Sequence, residues 1–264
     1  MAGLSVPDLL LALRPDLNGS VRELGWYTLA FVLVFPLEFA VGSQHSTTWS
    51  ERGGNLVAML LHLLAGGAIL ALALSSPIAP VLTAYPTAPR LGPLQNPYLW
   101  ALVSAFVIDA LFYVYHRLQH ALPWFWHIHK LHHTDPAMNI TTAKRSHFLE
   151  RALQYFCLTV PMFWLLGFNP EGAVLAVGFT QVFVYIGHAD VRLDVGILTP
   201  VIVGPLYHRL HHSRQAEHRD VNFAQVFPVF DIIGGTYRRP RWEDYPETGV
   251  EGCDTAYARW RPLI

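Results

Sequence analysis

The histidines of this 264-residue chain lie mostly in three short clusters. The sequence reads HRLQH at residues 116–120, HIHKLHH at 127–133 and HRLHH at 208–212, and His188 follows an apolar run. In a helix, residues three or four positions apart share one face, so HxxxH and HxxHH each direct imidazoles to one side. Neutral imidazole is a ligand for iron, zinc, copper and nickel. The spacing therefore predicts metal binding.

Nine histidines share this pattern, and they are His116, His120, His129, His132, His133, His188, His208, His211 and His212. A tetrahedral zinc site takes about four protein ligands, so nine histidines are too many for one ion. They fit two metal ions with four or five nitrogens each. The HExxH signature of zinc peptidases is absent from the sequence. Because imidazole suits several metals, the spacing does not select one.

Other polar residues accompany the clusters. Asp109 interrupts an apolar run seven residues before His116. A carboxylate in such a run is costly and indicates a functional position or a buried partner. One role for Asp109 is to accept the second N–H of a ligating histidine. His127 and His218 fall outside the spacing, and we interpret them as neighbours of the site or as surface residues.

The composition is that of a membrane protein. Hydrophobic residues make up 52% of the chain and charged residues 14%, against about 25% charged in a typical soluble domain. The net charge of −1 and the absence of a basic run exclude nucleic acid as a partner. Cys157 and Cys253 form no CxxC motif, so any metal ligands must be histidine or oxygen. Cys157, in an apolar run, is predicted to be buried.

Five apolar runs predict membrane helices, because about 20 residues cross the hydrocarbon layer. They cover residues 26–42, 55–85, 98–116, 152–167 and 172–188. The run at 55–85 exceeds one crossing and is either one long helix or a hairpin that turns near residues 75–77. The last two runs are separated by FNPE, a turn signal. They predict a hairpin that enters the membrane and returns to the same side.

These runs predict an all-α fold, a polytopic membrane bundle with a histidine-rich cap. We expect N-terminal membrane helices in residues 1–95, a catalytic domain in 96–240 and a polar tail in 241–264. The first 25 residues lack the pattern of a removable signal peptide.

The loops beside the histidines carry eight basic residues: Arg117, Lys130, Lys144, Arg145, Arg151, Arg209, Arg214 and Arg219. By the positive-inside rule the histidine face is cytoplasmic. Arg14 and Arg22 would favour the same side, which requires 55–85 to be a hairpin. Sixteen arginines against two lysines indicate a GC-rich genome, which favours a bacterial inner membrane over the endoplasmic reticulum.

The order of these motifs resembles the fatty acid hydroxylase / sterol desaturase superfamily over residues 100–240. The resemblance rests on HRLQH, FWHIHKLHHTDPAMNITTAKRSHFLE, GHADVRL and YHRLHHSRQAEHRDVNF, with VFDIIGGTY downstream. It implies an integral-membrane, non-haem di-iron oxygenase whose cytosolic cap holds the metals through the nine histidines.

The resemblance also implies residues that support the ligands. His147 and Glu150 match the family's HPLE-like segment, and Asn222 matches its NY segment. Asp190 stands where asparagine is common. Three further departures lie beside the ligands and bear on substrate and tuning: His127 replaces a common arginine, Phe148 a proline and Phe223 a tyrosine.

The reaction implied is O2-dependent hydroxylation of an unactivated C–H bond in a lipid, such as a sterol or a fatty acyl chain. Lipid desaturation by the same two-iron centre is the alternative. No haem-binding segment is fused to the chain, so a separate electron-transfer protein is expected. A membrane metal-binding protein is a remote rival, and so is a zinc hydrolase with Glu150 or Asp190 as base. Candidate substrate-channel residues are Phe112, Tyr115, Trp124, Trp126, Phe179 and Phe183.

Overall fold

The fold is helical, as predicted. The computed structural model describes residues 17–41, 48–76, 94–253, 255 and 259–263. Within these ranges no β-strand forms, and a single isolated bridge joins Ser213 to Thr248. The helices are α1 (Leu17–Val41), α2 (Trp49–Ser75), α3 (Pro97–Ala121), α4 (Pro123–His133), α5 (Phe148–Gln154), α6 (Val160–Leu166), α7 (Pro170–His188), α8 (Pro205–His211) and α9 (Val229–Gly234).

Three of these helices are long and apolar enough to cross a membrane, judged by length and composition: α2, α3 and α7. α1 contains a shorter apolar stretch, Thr28–Glu38. The prediction of an integral membrane protein is therefore confirmed. α2 is a single helix that ends at Ser75, and the rest of the predicted 55–85 run, from residue 77 to 85, lies outside the described residues.

Local sequence signals explain where these helices begin. Thr48 and Glu51 form a capping box at the start of α2. The Asn96 side chain accepts the first free N–H groups of α3, and Pro97 occupies the first turn. Asn169 and Pro170 repeat this arrangement at α7, where the sequence predicted a turn.

The two apolar runs at 152–167 and 172–188 lie in consecutive helical stretches, as a hairpin requires. A run of helix from Phe148 to Leu166 leads away from the histidines, and α7 returns to them. α3 and α7 run in parallel, because Gly172 contacts Pro97 and Trp100 at their starts. A Cβ at Gly172 would lie 2.7 Å from the Trp100 ring, so this close approach requires glycine.

A π-helical turn at Tyr155–Thr159 joins α5 to α6. Such turns interrupt the regular helical ladder and often occur near functional sites. Cys157 lies in this turn and is exposed, so its predicted burial was wrong. An apolar run in a membrane protein need not point inward, because lipid accepts apolar side chains as readily as a core does.

The end of α1 lies at the cap. Glu38 accepts hydrogen bonds from Arg52 and from the backbone N–H groups of Ile140 and Asp190. Arg22 precedes Glu38 by sixteen residues, about 24 Å of helix. α1 therefore begins on the opposite side from the histidines. The expectation that Arg22 shares their side was wrong, and Arg14 lies outside the described residues.

The predicted C-terminal tail contacts the cap. The Thr248 hydroxyl donates to the Asp135 carbonyl and accepts from the Met138 N–H. The guanidinium of Arg145 lies 3.9 Å from the centre of a Trp260 ring. These contacts hold the tail against the segments that follow α4.

We expect Glu38→Gln to lower the free energy of unfolding by about 3 kcal/mol, because it leaves the buried charge of Arg52 without its anionic partner. Denaturant unfolding in detergent, followed by circular dichroism, measures the change. Glu243→Gln, an exposed replacement of the same kind, serves as control and should change stability by less than about 0.5 kcal/mol. Equal effects in the two variants would contradict the role of Glu38.

Candidate metal centre

The structure brings all nine predicted histidines together in two neighbouring groups. Within each group the candidate ligand atoms lie within 4.8 Å of one another. The five-histidine group contains His116, His120, His129, His133 and His211, and the four-histidine group contains His132, His188, His208 and His212. The division into five and four agrees with the count expected for two metal ions.

Helical geometry divides each HxxHH motif between the two groups. On α4, His129 and His133 are four residues apart and join the five-histidine group, whereas His132 joins the other. In the motif of α8 and its C-cap the two groups exchange places. His208 and His212, four residues apart, belong to the four-histidine group, and His211 belongs to the five-histidine group. Residues four apart therefore share a site, and the third histidine serves the neighbouring one.

The Nε2 atoms face one another. Neighbouring pairs are separated by 3.0 to 3.3 Å, and these pairs are 116–129, 129–133, 120–133, 132–188, 188–208 and 208–212. Two nitrogens bound to one ion at about 2.1 Å and at a right angle are about 3.0 Å apart. The spacing is that of imidazoles around a shared cation, so the residues fit the metal.

The opposite ring nitrogens fix the tautomer. Four histidines direct Nδ1 at a backbone carbonyl oxygen, with distances of 2.7 to 3.3 Å. The pairs are His116 with Phe223, His132 with Arg145, His188 with Val184 and His211 with Val221. A carbonyl only accepts, so Nδ1 carries the proton and Nε2 presents its lone pair to the group.

These histidines are held in the neutral form, so an added proton does not offset the repulsion between neighbouring ring nitrogens. Burial, together with the neighbouring histidines, lowers the pKa of the cap histidines well below the ordinary value. The six concerned are His129, His132, His133, His208, His211 and His212. Neutral imidazoles whose lone pairs meet at 3 Å repel, and a bound cation removes that repulsion. The geometry therefore favours a metal in each group.

Two carboxylates extend the centre. Glu150 Oε1 lies 3.3 Å from Nδ1 of His129, and Asp220 Oδ1 lies 3.2 Å from Nδ1 of His120. Burial raises the pKa of Glu150 to about 8, an effect partly offset by the amide of Gln154, which donates to the carboxylate. A carboxylate on the second nitrogen orients an imidazole and strengthens it as a ligand.

Asp220 was not predicted as a neighbour of the histidines, although the D-V-N sequence at 220–222 is a recognisable signal for an unusual backbone conformation. Asp220 and Asn222 are the only non-glycine residues with positive φ in the described ranges, at 56° and 58°. Aspartate and asparagine adopt this conformation more readily than other residue types. The alternation in D-V-N turns the carbonyls of Val221 and Phe223 towards His211 and His116.

Asp109 has a different role from the one predicted. Its carboxylate accepts the backbone N–H groups of Gln225, Val226 and Phe227 at 2.6 to 3.1 Å, rather than an imidazole N–H. The segment it holds follows the carbonyl of Phe223. Asp109 therefore acts on the ligands through the backbone, which sequence spacing could not reveal.

The other predicted supporting residues contact the segments around the histidines rather than the histidine rings themselves. The side chain of His147 accepts from the N–H of Leu149 and caps α5, the helix that carries Glu150. Asp190 accepts from Arg209, on the helix that carries His208 and His211, and from Tyr245. Asn222 exchanges two hydrogen bonds with the backbone of Arg238. Of the remaining histidines, His127 is exposed, and His218 contacts the Ser213 hydroxyl.

The predicted channel residues lie in several separate clusters. Phe112 lies 5.1 Å from the His116 ring, and Tyr115 packs with Phe125 beneath it. Trp124 is exposed and stacks on Phe125. A separate cluster at the middle of α7 contains Phe179 and Phe183.

Trp126 faces a cavity of about 500 Å³ that opens beside the five-histidine group. His120, His133 and His211 line this cavity, and its outer wall carries the charged side chains Arg214, Arg219, Asp220 and Glu251. The Trp126 ring lies 5.0 Å from that of His120. The cavity thus reaches the five-histidine group from a side that carries charged residues.

The geometry agrees with a known family. The model of the fatty acid hydroxylase family matches residues 101–236, just over half of the chain and the part that holds every histidine of both groups. The chain belongs to the fatty acid hydroxylase family. The predicted resemblance is thereby confirmed.

Relatives within the fatty acid hydroxylases are distant. An alkylglycerol monooxygenase of Caenorhabditis elegans is 28% identical over 158 residues, which is 60% of this chain and 30% of the relative. The ornithine lipid hydroxylase OlsE of Rhizobium tropici is 27% identical over 217 residues, 79% of this chain and 65% of the relative. The chain thus spans less than two thirds of either relative. No solved structure matches the chain significantly.

We expect that replacing one histidine removes the metal ion of its own group and leaves the ion of the other group bound. His188→Ala removes a ligand of the four-histidine group, and His211→Ala removes one from the other. Each should reduce the bound metal from about two ions per chain to about one, because outer ligands cannot compensate for a lost imidazole. Elemental mass spectrometry of purified protein measures the stoichiometry. The exposed His127→Ala should retain both ions, and full metal content in both ligand variants would refute the assignment.

We expect Asp220→Asn and Glu150→Gln to weaken metal binding about 10- to 100-fold, because each keeps the side-chain shape and replaces the carboxyl group that faces the Nδ1 atom of a candidate ligand. Competition with a chelator of known affinity measures the change. Glu217→Gln, exposed in the same loop as Asp220, should bind metal as the wild type does. If both test variants bind metal with the affinity of the wild type, these two carboxyl groups do not support the histidines.

Proposed function

We propose that the chain is a membrane-bound, iron-dependent hydroxylase that inserts oxygen from O2 into an unactivated C–H bond of a lipid. The observation that carries the proposal is the pair of histidine groups, in each of which the candidate ligand nitrogens lie within 4.8 Å of one another. The names of the relatives, a monooxygenase and a hydroxylase of lipids, support the reaction class.

The nine histidines would hold two iron ions, which when bound supply the reduction of O2 and the oxidising power for C–H cleavage. The protein itself would contribute by orienting the imidazole rings. Four carbonyls and two carboxylates fix the rings, so the donors need little rearrangement when metal binds. The hydrocarbon part of the substrate would approach from the apolar side, where Phe112 and Phe125 pack below His116 and exclude water.

Electrons would come from a separate donor protein at the cytoplasmic cap. The approach we propose is the cavity beside Trp126, since His120, His133 and His211 of the five-histidine group line it. The basic residues of the cap loops support a cytoplasmic orientation. A bacterial inner membrane is the location we favour.

The test is isotope incorporation. Protein reconstituted with iron in bilayers of extracted bacterial lipid, with a chemical reductant and 18O2, should yield a lipid heavier by one 18O atom, detected by mass spectrometry. His132→Ala/His133→Ala, which disrupts both groups, is the inactive control. Loss of two hydrogens without 18O would identify a desaturase. Zinc as the sole bound metal, with no oxidised lipid, would refute the proposal.

A further inference from the structure

One exposed apolar segment lies outside the apolar runs of the sequence. Residues 225–236 read QVFPVFDIIGGT and include α9. The side chains of Ile232 and Ile233 are wholly apolar, yet they are 48% and 78% exposed. Two adjacent exposed isoleucines on a short helix require a partner or an apolar environment.

Contacts with the membrane helices fix the depth of this segment. The Phe106 ring of α3 lies 5.5 Å from that of Phe227 and 4.8 Å from that of Phe230, and Phe227 also contacts Phe179 at the middle of α7. Phe106 precedes His116 by ten residues, about 15 Å of helix. The segment therefore descends well below the histidines, alongside the apolar parts of two candidate spans.

α9 then returns towards the cap along α3. Gly234 meets the hydroxyl of Tyr113, where a Cβ would overlap it, and its carbonyl lies 3.4 Å from the guanidinium of Arg117. Thr236 shares a hydrogen bond with the same tyrosine. Ile233 is thus placed between the levels of Phe106 and Arg117, beside the apolar run at 98–116.

The backbone of the segment is adapted to a layer without water. Irregular backbone persists at membrane depth only where its polar groups find partners in the protein. Asp109 accepts the N–H groups of Gln225, Val226 and Phe227, and the next residue, Pro228, has none. Asp231 accepts those of Phe223 and Ala224. The two buried carboxylates thus account for every N–H from 223 to 228.

We propose that residues 225–236 are embedded in the hydrocarbon layer of the bilayer beside α3 and α7, with Ile232 and Ile233 in contact with lipid acyl chains. The cap is then anchored by a re-entrant segment as well as by its spanning helices. The same segment follows the carbonyls that orient His116 and His211, so the lipid environment is connected to the metal ligands by fewer than ten residues of chain. The proposal is independent of the metal and of the reaction.

Spin-label accessibility tests this placement. A single label at Ile233→Cys, in a Cys157→Ser/Cys253→Ala background and in phosphatidylcholine vesicles, should collide readily with O2 and poorly with a water-soluble nickel chelate. Leu102→Cys, 60% exposed on α3, is the matched lipid control, and Gln215→Cys, exposed on the cap, is the aqueous control. The Ile233 label should match the Leu102 label.

A label at Ile232→Cys on the same helix provides a second reading if one variant does not fold. Collision with the nickel chelate comparable to that of the Gln215 label would place the segment in water and overturn the proposal. Low accessibility to both reagents would also overturn it, because the isoleucines would then be covered by protein, such as a second copy of the chain.

Discussion

Convergent imidazole lone pairs are the constraint on which the rest of this structure depends. Nine histidines bring ring nitrogens together in two small volumes, and a bound cation makes this convergence favourable. Each ring must therefore be held from its other nitrogen or by packing. Four backbone carbonyls and two carboxylates perform this task, and they come from segments far apart in the sequence.

The cap is built from short helices that would not be stable alone, since helices of fewer than about 12 residues are marginal in water. α8 has seven residues and α9 has six. Their stability comes from buried polar contacts with the membrane helices. Glu38 of α1 holds the loops that lead to and from the ligand helices, and Asp109 of α3 holds the segment after Phe223.

Carboxylates in the apolar runs thus have a common explanation. Their cost in an apolar environment is offset because each accepts several N–H groups that would otherwise be unsatisfied. Asp231 completes the set from the cap side, and it accepts the hydroxyls of Tyr207 and Thr236 besides two backbone N–H groups. The centre of this protein is therefore as much a backbone network as a histidine cluster.

Much of the architecture was predictable from local sequence. Hydropathy over about 20 residues predicts spanning helices, and Asn96-Pro97 and Asn169-Pro170 mark their starts, because these signals act within one element. The orientation of α1 was predicted wrongly from Arg22, since the contacts of Glu38 with Ile140 and Asp190 are non-local. The exposure of Cys157 was also not predictable, because apolar residues face lipid and core alike.

The sequence by itself determined which histidines belong to the site and that there are enough for two metals, because spacing along a helix decides which side chains share a face. Only the tertiary structure decided that His211 joins the group of His129 and His133 whereas His132 joins that of His208 and His212, and that Asp220 rather than Asp109 contacts an imidazole. These assignments depend on how α3, α4, α7 and α8 meet, a long-range arrangement that no local spacing encodes.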